Sequence, residues 1–137
     1  MSEARETLIH YRIARARETL VEADLMAQTG HWNACVNRLY YACFYAVTAL
    51  LLQHGLSASR HSGVRSLLNR HFVRTGAIAT ELGLLYGDLF EGRQQGDYHD
   101  LVRFEEQQVR PWISQAQHFV ARIEDLLQSS SRETGEV

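Results

Sequence analysis

Between Glu91 and Asp100 the chain gathers Arg93, Asp97, Tyr98 and His99 around two glycines, Gly92 and Gly96. A guanidinium fixes a phosphate through a rigid fork of donors, and an imidazole exchanges protons near neutral pH. Together they suit phosphodiester chemistry. His99 would take the proton from an RNA 2′-hydroxyl or protonate the leaving 5′-oxygen, while Arg93 stabilises the charge building on the phosphorane. That route uses a nucleophile internal to RNA, so it needs no metal, and DNA would be refractory. On an unbroken α-helix, however, six steps set the two residues about 120° apart around the axis and about 9 Å along it, too far to grip one phosphate together. The helix must break, which Gly96 permits, or one residue must come from a second chain across a two-fold axis. The competing reading is structural: Arg93 paired with Asp97 or Glu91, Asp97 capping or turning the chain, and Tyr98 packing its ring at the helix junction.

The elements that must position these residues are helical. Ile9, Ile13, Ala16, Leu20, Ala23 and Ala27 recur at steps of four and three, an amphipathic stripe ending before Gly30. A second helix begins near Trp32-Asn33, is apolar on most of its circumference from Leu39 to Leu52, and stops at Gly55, which makes it the most buried element. Asn37, Tyr40 and Tyr41 on it are read as facing the core or a dimer seam. A shorter helix carries Val64, Leu67, Leu68 and Phe72 and closes before Gly76. Ile78, Leu82, Leu85 and Leu89 mark a fourth, ending around Gly92 to Gly96, and Val109, Ile113, Ala116, Val120, Ile123 and Leu127 mark the last, with Pro111 in its first turn or at a kink. No segment alternates with period two. The expectation is an all-α fold, an up-and-down four-helix bundle with an additional short helix, in one domain over residues 1–128. The polar stretch 129–137 reads as a flexible C-terminal tail.

Composition bounds the rest. With 137 residues, 45% of them hydrophobic and 22% charged, one soluble domain is expected. The net charge of -2 exerts no overall pull on nucleic acid or anionic lipid, so any such binding needs a local patch. All 14 basic residues are Arg. Arg65, Arg70 and Arg74 lie in the most basic segment and are candidates for guiding RNA phosphates, although a solvated helix face accounts for them equally well. Charges near the N-terminus leave no room for a signal peptide's apolar core, and the apolar run of 14 residues from Leu39 to Leu52 is shorter than the ~20 a membrane span requires, so a cytoplasmic protein without a membrane partner is expected. Cys35 and Cys43, about 12 Å apart along one helix, are read as buried thiols. Glu-x-x-His and His-Glu-x-x-His patterns, zinc pairs and a phosphate-cradling glycine loop are missing from the sequence, so neither a metal nor another cofactor is expected.

Taken in order, Asn37-Arg38-Leu39-Tyr40-Tyr41-Ala42-Cys43-Phe44-Tyr45-Ala46, Ala49-Leu50-Leu51, His61-Ser62-Gly63, Phe72-Val73 and Arg93-Gln94-Gln95-Gly96-Asp97-Tyr98 resemble the HEPN family, in particular its compact prokaryotic single-domain branch, over roughly residues 5 to 127. The resemblance implies a four-helix core with an extra short helix, a two-fold homodimer, and often a metal-independent RNase site at the dimer interface. It also implies a toxin role with a minimal nucleotidyltransferase antitoxin as partner. The family's catalytic signature is an Arg and a His separated by four to six residues, and Arg93 and His99 have five between them. Many compact members lack that histidine, which leaves a non-catalytic adaptor that binds a nucleotide or a nucleotidyltransferase as the alternative. Where family toxins carry an adenylylated tyrosine two places after the histidine, this chain has Leu101.

Overall fold

A computed structural model describes residues 2–135, with side chains through residue 130. Five α-helices follow one another: α1 (Glu3–Gln28), α2 (Trp32–Gln53), α3 (His61–Leu68), α4 (Thr80–Tyr98) and α5 (Glu106–Gly135). A short π-helical segment, Asn69–Val73, extends α3. There is no strand among the described residues, and the molecule is an all-α bundle as its periodicities require.

Helix ends follow from local chemistry. The Ser2 hydroxyl accepts the Arg5 N–H at 3.1 Å, and Glu3 and Glu6 complement the dipole of the first turn of α1. At the other end Gly30 takes φ 74, which lets the His31 N–H reach back to the Met26 carbonyl at 2.9 Å. Gly55, at φ 70, ends α2 in the same way, with the Leu56 N–H on the Leu51 carbonyl at 2.8 Å.

The most hydrophobic helix lies at the centre. α2 packs against α1, α4 and α5 and buries Leu39, Tyr40, Cys43, Val47 and Leu50 completely. It is long and apolar enough to cross a membrane by length and composition, yet most of it is enclosed by the other helices. Cys35 and Cys43 are both buried free thiols, and burial pushes Cys35 up to about 11.

Several boundaries differ from the sequence reading. The third helix does not run evenly toward Gly76: after Leu68 the backbone widens into the π segment, with the Arg74 N–H on the Asn69 carbonyl at 2.9 Å, and Phe72 is buried there. Pro111 sits inside α5, beyond its first turn. The backbone of α5 stays helical through Gly135, across most of the stretch read as a tail, whose last two residues lie outside those described.

The fourth helix matters most for function, because it continues through Gly92 and Gly96 without a break. Both glycines have ordinary helical φ, and their role is close approach. A Cβ on Gly96 would come within 3.1 Å of the Phe104 ring, and one on Gly92 within 3.3 Å of Val36 and 3.4 Å of Phe104. Phe104 cannot give way easily, because Asn33 holds its loop from both sides. The Asn33 side-chain oxygen accepts the Phe104 N–H at 2.8 Å, and its amide donates to the Val102 carbonyl at 2.9 Å. Asn33→Ala would remove both bonds and leave two loop backbone groups unsatisfied. We expect a stability loss of about 1–3 kcal/mol by denaturant titration, with faster amide exchange concentrated in residues 99–105.

Candidate functional site

Where α2, α3 and α4 meet, the chain buries a positive charge. Arg93 on α4 is only 7% exposed, and its Nε is buried without a hydrogen-bond partner. None of the ion pairs or side-chain hydrogen bonds formed among the described residues involves its guanidinium. Aromatic faces surround it instead: the guanidinium carbon lies 4.9 Å from the Tyr40 ring centre and 5.7 Å from that of Tyr41. Each such contact contributes roughly 0.5–2 kcal/mol, which offsets part of the several kcal/mol that desolvating a charge costs.

The acids that could neutralise Arg93 are engaged elsewhere. The Asp97 carboxylate, one turn along α4, accepts from the Asn37 amide at 2.9 Å. The Asn37 oxygen accepts twice from Arg38, at 3.0 and 2.8 Å, and Arg38 pairs with Glu22 on α1 at 3.1 Å. Glu91 lies 3.7 Å from Arg65 of α3, whose guanidinium sits over the Phe90 ring at 5.1 Å. The ion pair expected between Arg93 and Asp97 or Glu91 is therefore absent, because each acid is drawn to another helix.

A histidine completes the cluster, and it is His61, the first residue of α3. Its ring stacks on Phe44 with centres 4.3 Å apart and planes 7° from parallel, and lies 5.7 Å from Tyr40 and 5.9 Å from Tyr41, the two rings that Arg93 touches. Its Nδ1 is 2.7 Å from the Tyr40 hydroxyl. Burial pushes that hydroxyl up to about 12, so it stays protonated at neutral pH, and Tyr86 beside it is raised by the same cause. His61 itself is lowered from the usual histidine value, first by partial burial and then by the Arg93 charge.

The structure divides the residues read from sequence. Arg93 and Asp97 lie on this α2–α4 seam, and Arg65 borders it. Tyr98 does not pack at the helix junction: it is 72% exposed, because the uninterrupted helix carries it outward. Arg70 and Arg74 are exposed on and beside the π segment. His99 follows the last residue of α4 and lines a different opening, a cleft of about 580 Å³ with His31, Asn33, Asp97, Arg103 and Phe104 on its wall. Arg93 is not on that wall. α4 runs through Gly96 to Tyr98 without the break read there, His99 is placed beyond its end on another wall, and a second copy across a two-fold axis is the other route the sequence offered for joining it to Arg93. Asn37, Tyr40 and Tyr41 are more than packing, since they hold Asp97 and Arg93. No three His, Cys, Asp or Glu side chains converge as a metal site among the described residues.

Comparison with known proteins gives this geometry a class. Residues 9–126 match the HEPN domain, and the chain belongs to that family. A UPF0332 protein of Thermotoga maritima is 48% identical over 128 residues, covering 93% of this chain and 97% of the relative. A Methanocaldococcus jannaschii protein named as a candidate toxin is 25% identical over 124 residues, covering 90% of this chain and 84% of its own. Among solved structures, TT1696 from Thermus thermophilus shares the fold, with a TM-score of 0.72 at 18% identity, covering 85% of this chain and 96% of that one.

Two measurements check the site. Replacing the unpaired charge by an apolar chain of similar length, Arg93→Met, is expected to raise stability by about 1 kcal/mol in denaturant titrations, where loss of a buried ion pair would lower it. The lowered His61 value means the unfolded chain binds more protons in the window below about 6.5, so this group's contribution makes stability rise with pH through that window and fall on acidification. By NMR, the His61 midpoint should lie below 6.5 in the wild type and move up toward it in Arg93→Gln.

Proposed function

We propose that this protein is a metal-independent endoribonuclease and the toxin of a toxin–antitoxin pair, with Arg93 holding the scissile phosphate. The observation that carries this reading is the nearly buried Arg93 guanidinium, kept free of every nearby carboxylate and framed by tyrosine rings. A charge held in that way is ready for an anion brought by a ligand, and a phosphodiester fits the planar donor fork. Membership of the HEPN family and the similarity to a candidate toxin support the toxin role. The reaction uses the RNA 2′-hydroxyl as nucleophile and needs no metal to supply one. Its partners would be a second copy of the chain, the RNA substrate and a minimal nucleotidyltransferase antitoxin. In such a homodimer the partner's own Arg93 site would lie across a two-fold axis.

The separation of Arg93 from His99 within one chain favours a second reading, a non-catalytic HEPN adaptor that binds a nucleotide or a nucleotidyltransferase through the same seam. Metal-free cleavage separates the two. With EDTA present, purified wild type is expected to cut tRNA, ribosomal or messenger RNA to 2′,3′-cyclic phosphate ends, and Arg93→Gln to be at least ~100-fold slower while still folded. No cleavage of any of these substrates by the wild type would leave the adaptor as the account.

A further inference from the structure

His61 is separated from Arg93 by 32 positions in sequence, yet both residues rest on Tyr40 and Tyr41. Its ring has one settled orientation, clamped by the Phe44 stack and by the Tyr40 hydroxyl on Nδ1. The other nitrogen, Nε2, makes no hydrogen bond with a described residue, is not among the buried unpaired atoms, and belongs to a half-buried side chain. With Nδ1 protonated and donating to the Tyr40 oxygen, Nε2 carries the lone pair in the neutral ring and a proton in the imidazolium, so it can take up and release a proton without the ring moving.

We propose that His61 is the proton-transfer residue of the Arg93 site. This rests on the ribonuclease reading and specifies the histidine that serves it. With a phosphodiester on Arg93, the Nε2 lone pair takes the 2′-hydroxyl proton as the O2′–P bond forms. The P–O5′ bond breaks, and the departing 5′-oxygen takes a proton from water. A 2′,3′-cyclic phosphate and a 5′-hydroxyl result, and imidazolium returns its proton to the hydroxide left in solvent. The groups facing His61 are Tyr40 and Tyr41 from α2 and Arg93 from α4, with Arg65 on its own helix engaged by Glu91. Among the described residues no carboxylate pairs with the ring, so the neutral form that a base requires is the one favoured near pH 7.

The test is metal-free RNA cleavage by wild type, His61→Asn, His61→Gln, His99→Gln and, as an exposed control on α1, His10→Gln. Each variant is checked for folding by circular dichroism. We expect His10→Gln to match the wild type and both His61 variants to be slower by about 100-fold or more. Should the His61 variants misfold, the wild-type pH profile decides: the acid limb of kcat/KM should coincide with the NMR titration midpoint of His61. Cleavage kept in folded His61 variants but lost in His99→Gln, or an acid limb that does not follow His61, would overturn this assignment and leave the ribonuclease reading standing. A wild type that cuts no RNA overturns both.

Discussion

A positive charge withdrawn from water needs either an anion or an equivalent, and Arg93 has only the faces of two tyrosines. Much of the arrangement around it follows from that requirement. α2 must present Tyr40 and Tyr41 toward α4, which fixes the rotation of the central helix. α3 must approach closely enough for His61 to lie on the same rings. The acids must be held off, and a chain of polar contacts running from Glu22 through Arg38 and Asn37 to Asp97 draws the nearest one away. A bundle built only for stability would put a methionine or leucine at position 93. On the proposed reading, retaining an uncompensated charge there trades stability for ligand binding.

Small residues on α4 make the packing work. Gly92 and Gly96 let the Phe104 ring lie against the helix, and the α4–α5 loop that carries Phe104 is fastened to α2 by Asn33. α4 is thereby held along its last two turns, where Arg93 and Asp97 project toward α2. The same fastening shapes the cleft beside His99, whose wall includes Gly96 and Asp97 of α4.

The helices were legible because burial imposes a 3.6-residue period, and the left-handed glycines at Gly30 and Gly55 mark where two of them stop. The same residue type misled at Gly92 and Gly96: a glycine that ends a helix and one that admits a neighbouring ring look alike until the ring is located. Arg93 stood out in sequence, but the histidine that the structure places beside it did not. The five-residue interval to His99 satisfies a spacing pattern, yet His99 lies just past the end of α4 on the wall of another cleft, whereas His61 reaches the cluster from another helix altogether. One trace was present, the order of Tyr40-Tyr41 and His61-Ser62-Gly63 along the chain, and it could be weighed only once tertiary contacts showed that these segments meet. The π segment leaves no comparable mark, because its wider turn is set by how Phe72 fits the core.

The claim at the centre is that Arg93 is held unpaired for a phosphodiester supplied by a ligand. Its most direct test is to follow the Arg93 side-chain N–H resonances while adding a 2′-deoxy dinucleotide, which carries the phosphodiester but cannot react. The account predicts a saturable shift of the Arg93 guanidinium signals, with the His61 ring signals moving in parallel, and no binding by Arg93→Met. Saturable binding that leaves the Arg93 signals in place, or equal binding by Arg93→Met, would contradict it.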